Sequence, residues 1–368
     1  MIHRRNVLKS GLVFAGSSLL GSGLSRSAIA APAAPADLVA AAKKEGQLNV
    51  IALPRDWANY GQMMDDFTKL YGIKIDDANP NGSSAEELQA IRSLKGQSRA
   101  PDSVDIGTSF AAVAMKDKLL APYKVQTWDD IPVGTKDPDG NFYGDYYGVI
   151  SIAVNKSVVK NVPRSFADLK KPEYKGMVAL NGSPLSAGAA IGAVFAAALA
   201  NGGSFDDVMP GVEYFAELAK LGNFNPAKGL EASLVAGQTP ITIDWDYLTL
   251  GYKQKNAAKV PLEVVVSEGS KPFANFYYQA ISAYAPNPSA AKLWMEYLYS
   301  DEGQLTFLRG FAHPIRFDAL VKAGKVPEEL LKQLPPAKAY AGITFATNAQ
   351  ADKAKQTIAD NWPKLVKI

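Results

Sequence analysis

Residues 48–75 read LNVIALPRDWANYGQMMDDFTKLYGIKI, and this stretch decides the class of fold. It opens with an apolar run of strand length at 48–53. The apolar residues that follow recur at the spacing of one helical face: Met63, Met64, Phe67, Leu70 and Tyr71. Gly72 supplies a helix stop, and a second strand begins at Ile73. The stretch therefore predicts a strand, a helix and a second strand in succession.

The same alternation continues along the chain. Further strands are predicted at 104–106, 178–180, 240–243 and 264–266, with helices between them, one of which opens on a capping box at 84–87. Alternation of this kind favours mostly parallel sheets flanked by helices. Two more strand-like runs, 146–154 and 276–284, lead from the first α/β unit into the second and back. We therefore expect an α/β chain of two lobes joined by two hinge strands.

Composition excludes several classes of protein. The chain has 368 residues and no cysteine, which excludes disulfide scaffolds, zinc ribbons, iron–sulfur clusters and thiol nucleophiles. His3 and His313 are the only histidines, so a metal site built from several histidines is excluded as well. The length favours two domains, each large enough to bury a core.

The first thirty residues have the pattern of a cleaved export signal. A basic segment is followed by an apolar or small-residue middle, and Ala28-Ile29-Ala30 fits an A-x-A cleavage site. Arg4 and Arg5 resemble the twin-arginine export signal, and an ordinary Sec signal is the alternative. Cleavage after Ala30 leaves 35 basic and 36 acidic residues, a net charge of −1. The whole chain's +3 therefore gives no argument for nucleic-acid or membrane binding, and we expect a soluble periplasmic protein.

From about residue 36 to residue 316, the order of segments resembles the extracytoplasmic solute-binding proteins of ABC importers, in the cluster with ferric-iron, polyamine, thiamine and aminophosphonate binders. The most distinctive phrase is SFADL at 165–169 followed by PEYKG at 172–176. The other segments that carry the resemblance are 67–75, 82–88, 101–106, 285–292 and 300–304.

This resemblance implies a type II periplasmic-binding-protein fold that closes over a small solute and then docks on an ABC permease in the inner membrane. It implies a monomer without a cofactor, and binding rather than catalysis. The domain boundaries that we expect are 1–30 for the signal, 31–148 with 280–320 for lobe 1, and 149–279 with 321–368 for lobe 2 and the C-terminal helices.

Candidate ligand residues in the first unit lie just after predicted strands, where ligands of such sheets bind. Trp57 and Tyr60 can stack on a solute or a cation, or can pack between the loop and the next helix. The polyamine binders have a similar Trp-x-x-Tyr phrase. Ser84 and Ser109 suit a carboxylate or phosphate, and simple helix capping is the alternative for each.

The second unit contributes two further groups of candidates. Ser183 and Ser186 precede an apolar helix and suit an anion or a polyol. Trp245, Asp246 and Tyr247 follow the strand at 240–243, and the acidic and aromatic groups suit an ammonium or guanidinium group. The alternative is a solvated loop with one buried tryptophan.

Two adjacent tyrosines serve as metal ligands near this place in the ferric-iron branch of the family, whereas this chain has Trp245, Asp246 and a single Tyr247. That departure disfavours iron. Tyr277 and Tyr278 are adjacent in the returning hinge strand, whose alternation sends one of them to the cleft. We assign Tyr278 to the ligand site.

The sequence thus favours a periplasmic protein that binds a small polar solute, either amine-bearing or zwitterionic. The alternatives are a phosphonate, sugar-phosphate or carboxylate binder, a ferric-iron binder, and a sensory binder that serves no transporter. An enzyme is disfavoured, because the chain has no nucleophile elbow, zinc-protease motif, P-loop or dinucleotide-binding fingerprint.

Overall fold

The computed structural model describes residues 34–335, 340 and 342–367. The expected export signal lies outside the described residues. Among the helices that are described, none is both long enough and apolar enough to cross a membrane.

Helices cover the faces of the sheets and the C-terminal end. In chain order they are α1 (Ala36–Glu45), α2 (Tyr60–Tyr71), α3 (Ser84–Ser93), α4 (Ala111–Lys116), α5 (Gly188–Ala200), α6 (Met209–Leu221), α7 (Glu231–Val235), α8 (Asp246–Asn256), α9 (Pro288–Leu298), α10 (Asp301–Arg309), α11 (Phe317–Lys322), α12 (Glu328–Leu331) and α13 (Asn348–Leu365). The strands are β1 (Gln47–Ile51), β2 (Lys74–Ala78), β3 (Ser103–Gly107), β4 (Leu120–Ala121), β5 (Tyr143–Asn155), β6 (Val178–Leu180), β7 (Ile241–Trp245), β8 (Leu262–Val266), β9 (Ala274–Ser282) and β10 (His313–Pro314).

One long strand, β5, runs through both halves of the molecule. Its first half pairs with β9 and β10, and its second half pairs with β7 and β8. The main sheet has the order β3-β9-β5-β7-β6, while β1 and β2 form a separate pair. The two predicted crossings, 146–154 and 276–284, fall on β5 and β9, so the strands that link the two units are also their central strands.

The sheets are mixed, which corrects the expectation of mostly parallel sheets. Among the described strands, only β1 with β2 and β6 with β7 pair in parallel. The partners of β5 and β9 are antiparallel to them. The two crossing strands occupy the centre of the sheet, and the strands that pair with them run antiparallel to them. These antiparallel pairs outnumber the parallel pairs within each α/β unit.

The apolar helix α5 forms the core of the second unit. Its sequence, GAAIGAVFAAALA, has almost no polar face, and most of its residues are buried against α6 and β7. Small side chains permit this close approach, because the Gly211 Cα of α6 lies so near α5 that an added β-carbon would stand 2.1 Å from the Val194 carbonyl oxygen.

Two local details near the cleft differ from the sequence-based expectation. The capping box of α3 is Ser83 with Glu86, one residue earlier than predicted, which leaves the Ser84 side chain available for other contacts. Strand β7 extends to Trp245, so Asp244 and Trp245 belong to the strand and point to opposite sides of it.

Candidate functional site

A cavity of about 620 Å³ lies where loops from the two α/β units face each other. One wall comes from the segments that follow β1 and β3, at Trp57 and at residues 107–110. The opposite wall comes from the segment after β6 and from the start of α5, at residues 185–189. Carboxyl ends of strands thus meet around one space, which is where α/β sheets bind their ligands.

Tyr277 lines the cavity. It lies on β9, where it pairs with Gly107 of β3 in the register of the sheet. Phe276 also lines the cavity, whereas Tyr278 does not line it and packs in an apolar cluster with Phe276. A β-carbon on Gly188 would stand 3.1 Å from the Tyr277 hydroxyl, so this side chain reaches from the first unit to the N-terminus of α5.

Aromatic side chains form one side of the cavity. Trp57 packs edge-on against Tyr277, with ring centroids 5.9 Å apart, and its indole nitrogen donates to the Tyr146 hydroxyl. Trp245 is nearly fully buried and stacks on Phe273 at 6.3 Å. These rings offer apolar surface to the carbon skeleton of a solute.

Hydroxyl and amide groups line the part of the cavity that belongs to the first unit. The Ser84 hydroxyl accepts a hydrogen bond of 3.0 Å from the Gly107 backbone N–H. Ser109 and Thr108 follow β3 in a 3₁₀ turn, and the Asn275 amide donates to the Thr108 hydroxyl at 3.4 Å. These groups can donate to or accept from a polar solute.

The N-terminus of α5 opens into the cavity from the second unit. Residues 187–189 line the cavity, and no side chain caps this helix. The N–H groups of a helix's first turn have no partner within the helix, and the helix dipole adds positive potential there. Ser186 lines the cavity immediately before α5. The arrangement suits a phosphate, phosphonate or carboxylate group.

Two lysines add positive charge to the same cavity. Lys228 approaches from the segment before α7, and Lys355 from the distant helix α13. The ammonium group of Lys355 lies 4.2 Å from the centroid of the Phe110 ring. Within the described part of the chain, neither lysine forms an ion pair with a carboxylate.

Buried carboxyl groups lie at the base of the cavity in the first unit. Asp105 and Glu87 line it, and both are nearly inaccessible to solvent. The Tyr60 hydroxyl lies 3.0 Å from Asp105 Oδ2 and 2.8 Å from Asp145 Oδ2, and Gln279 Nε2 lies 2.7 Å from the same hydroxyl. Burial, followed by the nearby Asp145 and Glu87 charges, raises the pKa of Asp105 well above its usual range. Burial raises the pKa of Asp145 to about 7.

Two further carboxyl groups are buried behind the wall of the second unit. Asp244 Oδ2 accepts from the amide of the cavity-lining Asn181 at 2.8 Å. Asp246 begins α8 and accepts hydrogen bonds from the Val149 and Tyr247 backbone N–H groups and from the Tyr340 hydroxyl. Burial raises the pKa of both carboxyls to about 7.

The structure brings together about half of the residues that the sequence singled out. The members of that set which line the cavity are Trp57, Ser84, Ser109, Ser186 and Trp245. The members that do not line it are Tyr60, Ser183, Asp246, Tyr247 and Tyr278.

Each residue outside the cavity has a local reason for its position. Tyr60 begins α2 and hydrogen-bonds inward to the buried carboxyls. Ser183 closes a turn, accepting from the Leu185 N–H. Asp246 turns its carboxyl inward onto the backbone of β5, and Tyr247 is buried beside it. Tyr278 is on the other face of β9 and donates to Asn348.

Several cavity residues were missed by the sequence reasoning. Tyr277 could have been found, because strand alternation sends one of two adjacent tyrosines to each face, but no pattern told which one. Lys355 lies far along the chain on an amphipathic helix, and the neighbouring sequence does not indicate that it reaches the cavity. Asn181 follows β6, Asp105 lies within β3 and Lys228 precedes α7. Nothing in the spacing of these single polar residues distinguishes them from ordinary surface residues.

Metal ligands are not clustered in this cavity. Over residues 34–335, 340 and 342–367, no group of three or more His, Cys, Asp or Glu side chains is arranged to hold a metal ion.

Comparison with known proteins gives one family and one fold. The family model described as bacterial extracellular solute-binding protein matches residues 103–343. The structure is similar to the periplasmic binding protein AfuA from Actinobacillus pleuropneumoniae with exogenous fructose-6-phosphate bound, at 20% identity and a TM-score of 0.68, over 88% of this chain and 99% of AfuA.

Two other solved structures show the same likeness. Iron-bound HitA from Pseudomonas aeruginosa is 16% identical, with a TM-score of 0.65 over 85% of this chain and 97% of HitA. The spermidine/putrescine ABC transporter substrate-binding protein PotD from Streptococcus pneumoniae, in complex with calcium and HEPES, is 15% identical, with a TM-score of 0.61 over 87% of this chain and 99% of PotD. At such identities the likeness shows the fold and not the ligand, and the two-lobed α/β fold expected from the sequence is confirmed.

Proposed function

Because the chain belongs to the family of bacterial extracellular solute-binding proteins, we propose that it captures a small organic anion between its two lobes and delivers it to an ABC permease. The proposed role is binding without catalysis. The cavity of about 620 Å³ is of the size that encloses a small organic molecule.

The observation that carries the anionic ligand is the uncapped N-terminus of α5 in the cavity. An anion there would accept hydrogen bonds from the free N–H groups of residues 188–190 and would interact favourably with the helix dipole. Lys228 and Lys355 support the same sign of ligand charge, because both lie in the cavity and each can approach a bound anion.

A second part of the proposal concerns the ligand's carbon skeleton, which we assign to the aromatic wall of Trp57, Trp245 and Tyr277. Rings that already contact one another lose little freedom when a solute packs on them. Ser84, Ser109 and Ser186 then hydrogen-bond the polar groups along the solute.

The expectation of an amine-bearing ligand rested on Trp57, Trp245 and Asp246. Of these, Asp246 supplies the negative charge, but its carboxyl group does not line the cavity and takes three hydrogen bonds from the protein. The geometry therefore supports an anion better than a simple amine. Ferric iron is not supported, because among the described residues no group of three or more His, Cys, Asp or Glu side chains is arranged to hold a metal ion.

Closure is proposed to follow from contacts on both walls. A solute that touches Trp57 and the start of α5 together can make all its contacts only when the two walls are close, so it favours the closed state by that difference in affinity. We assign residues 31–148 with 280–320 to lobe 1 and 149–279 with 321–368 to lobe 2, with β5 and β9 as the hinge strands.

We also propose the route and location. The segment 1–30 would direct export, through the twin-arginine route or the Sec route, to the periplasm. There the protein would act as a monomer that docks on a permease in the inner membrane.

A thermal-shift screen of the mature protein, residues 31–368, tests the ligand class. The panel contains alkyl phosphates, sugar phosphates, phosphonates, carboxylates, putrescine, spermidine and ferric citrate. We expect phosphorylated, phosphonate or carboxylate solutes to raise the melting temperature, because saturation at 100 times Kd adds about 2.7 kcal/mol to the free energy of unfolding. A rise with polyamines alone, or with ferric citrate alone, would contradict the proposal.

A further inference from the structure

Among the described residues, Asp105 is the one carboxyl group with an oxygen atom that is both inaccessible to solvent and without a hydrogen-bond partner. Its Oδ1 has no hydrogen-bond partner among the described residues, although the side chain is buried and lines the cavity. Asp102, which is equally buried, accepts from the Asn49 N–H and from both the backbone and the side chain of Asn287. A buried carboxyl oxygen without a donor is costly unless a ligand supplies one.

The hydrogen bonds around Tyr60 also require an extra proton. Its hydroxyl lies within hydrogen-bond distance of Asp105 Oδ2 and Asp145 Oδ2, yet it has only one hydrogen to donate. Gln279 Nε2 donates to the same hydroxyl and, at 3.3 Å, to Asp145 Oδ2, but it supplies no hydrogen between the Tyr60 oxygen and either carboxyl. Both contacts can be hydrogen bonds only if one carboxyl carries a proton. In this arrangement one of the two carboxyl groups is therefore protonated, while the Tyr60 hydroxyl keeps its own hydrogen.

The surroundings of Asp105 supply negative charge and no compensating cation. The titratable groups whose pKa values are coupled electrostatically to Asp105, element by element, are Tyr60 of α2, Glu87 of α3, Asp145 and Tyr146 of β5, Tyr247 of α8, Tyr277 of β9 and Tyr299 after α9. Among the described residues, neither Asp105, Glu87 nor Asp145 pairs with a lysine, arginine or histidine.

A buried arginine elsewhere in the same lobe shows the contrast. Arg316 is 4% exposed, and its guanidinium group lies 2.6 Å from Asp130 and 3.1 Å from Asp301. The charge of Arg316 is thus balanced by carboxylates of the protein. Asp105, on the wall of the ligand cavity, has no cationic partner among the described residues.

We propose that Asp105 receives an ammonium group of the solute, and that the proton shared by Asp105 and Asp145 is released to solvent when that group binds. This inference rests on the proposed function, since the anionic end of the same solute occupies the N-terminus of α5. The ligand class is then a small zwitterion, with its acidic group toward the second lobe and its ammonium group toward the first.

The titration behaviour of the pair agrees with this geometry. Burial raises the pKa of Asp145 to about 7, and burial together with the Asp145 charge raises that of Asp105. A bound ammonium group favours the ionised carboxylate, so binding lowers the proton affinity of the pair. Affinity for an ammonium-bearing solute therefore rises as pH increases from 6 to 8, whereas affinity for a solute without that group does not.

Matched pairs of probes test the inference by isothermal titration calorimetry. Phosphoethanolamine is compared with propyl phosphate, and γ-aminobutyrate with pentanoate, because the members of each pair differ in an ammonium group replaced by methyl. In each pair, we expect wild-type protein to bind the probe with the ammonium group at least about tenfold more tightly than the probe without it. This is the scale of a charged hydrogen bond. The Asp105→Asn variant should reduce that preference to about twofold or less.

Two controls separate this role from a structural one. Asp246→Asn changes an equally buried aspartate that does not line the cavity, and it should keep the wild-type preference. Proton release by wild-type protein needs no variant, and it is measured at pH 6.5 in two buffers of different ionisation enthalpy, neither a phosphate nor a sulfonate. We expect net release with γ-aminobutyrate and none with pentanoate.

The outcomes distinguish this inference from the proposed function. Equal affinity for both members of each pair would overturn the role of Asp105 and leave the anion site standing. A preference that survives Asp105→Asn, or binding of γ-aminobutyrate without proton release, would also overturn it. Failure of all four probes to bind would contradict the anion site and this inference together.

Discussion

The Tyr277 hydroxyl lies 3.1 Å from the position that a β-carbon would occupy on Gly188. Gly188 is the first residue of α5, and Tyr277 lies on the hinge strand β9. The contact therefore joins the strand that links the lobes to the helix terminus that we propose as the anion site. A β-carbon at this position would make a tight contact, which Tyr277 or α5 could relieve only by shifting by a few tenths of an ångström.

Replacement of this glycine tests the importance of the approach. We expect Gly188→Ala to weaken binding of an anionic solute, because the added methyl group pushes against the Tyr277 hydroxyl and covers part of the first turn of α5. Overpacking of a core costs about 1–3 kcal/mol of folding stability, and we take this as the upper range for the loss of binding free energy. Calorimetry with the best ligand from the screen measures it.

Gly251→Ala is the matched control, because a β-carbon at this position in α8 meets no atom within 4 Å. It should leave affinity unchanged and should stabilise the protein by about 0.5–1 kcal/mol through helix propensity. Unchanged affinity in Gly188→Ala would argue against an anion at the α5 terminus.

Removal of the cavity lysines tests the sign of the ligand charge. Lys228→Met and Lys355→Met should each weaken binding of an anionic solute about tenfold, the scale of one charged hydrogen bond, while retaining most of the apolar stem. Affinity at low and high salt should differ less in these variants than in the wild type.

Lys259→Met provides the comparison, since Lys259 is exposed and does not line the cavity. Tighter binding in the Lys228 or Lys355 variants would indicate a cationic ligand instead.

Tryptophan fluorescence should report ligand binding directly. Of the five tryptophans, Trp57 and Trp245 line the cavity. We expect ligand to change the emission of the wild-type protein, and Trp57→Phe to remove a large part of that change while weakening binding, because it also loses the hydrogen bond to Tyr146. Trp128→Phe should leave the fluorescence response intact. A full response in a Trp57→Phe, Trp245→Phe double variant would place the ligand elsewhere.

Stability should fall as pH rises through the range in which the buried aspartates titrate. Burial raises the pKa of Asp244 and Asp246 to about 7, above the value of an unfolded chain, which is about 4. Between these values the folded protein binds more protons than the unfolded chain, so the free energy of unfolding decreases with increasing pH, by up to about 1.4 kcal/mol per pH unit for each group. The melting temperature of ligand-free protein should therefore be higher at pH 5 than at pH 7.5.

Asp246→Asn isolates one of these groups. The amide replaces the protonated carboxyl, and its oxygen can still accept from the Val149 and Tyr247 N–H groups. We expect a shallower dependence of the melting temperature on pH, with ligand affinity unchanged. An undiminished pH dependence would show that Asp246 does not contribute to it.

Much of the architecture was predictable because it depends on local patterns. The apolar spacing at 63–71 corresponds to α2, and Gly72 ends that helix in a left-handed conformation. The apolar run at 189–200 corresponds to α5, and the two strand-like crossings correspond to β5 and β9. The order of segments also identified the family correctly, since a family pattern is spread over most of the chain.

The candidate site was less predictable, and one source of error was the end of strand β7. Where a strand ends determines the direction of every side chain near its end. Strand β7 extends two residues further than predicted, so Trp245 faces the cavity while Asp244 turns away to Asn181. Parallel pairing was overestimated because local alternation does not show which strands become central.

By itself, the sequence determined that this is a two-lobed α/β chain with an apolar helix preceded by small residues, because helix periodicity, strand length and glycine stops are properties of neighbouring residues. Only the tertiary structure decided what meets at the cavity. Lys355 reaches it from a helix far along the chain, and Tyr277 rather than Tyr278 faces it through the register of β3 and β9. Three separate elements bring the Tyr60 hydroxyl within 3.0 Å of the carboxyl groups of Asp105 and Asp145. Contacts between distant residues depend on packing and register, and neither is encoded in the spacing of any single segment.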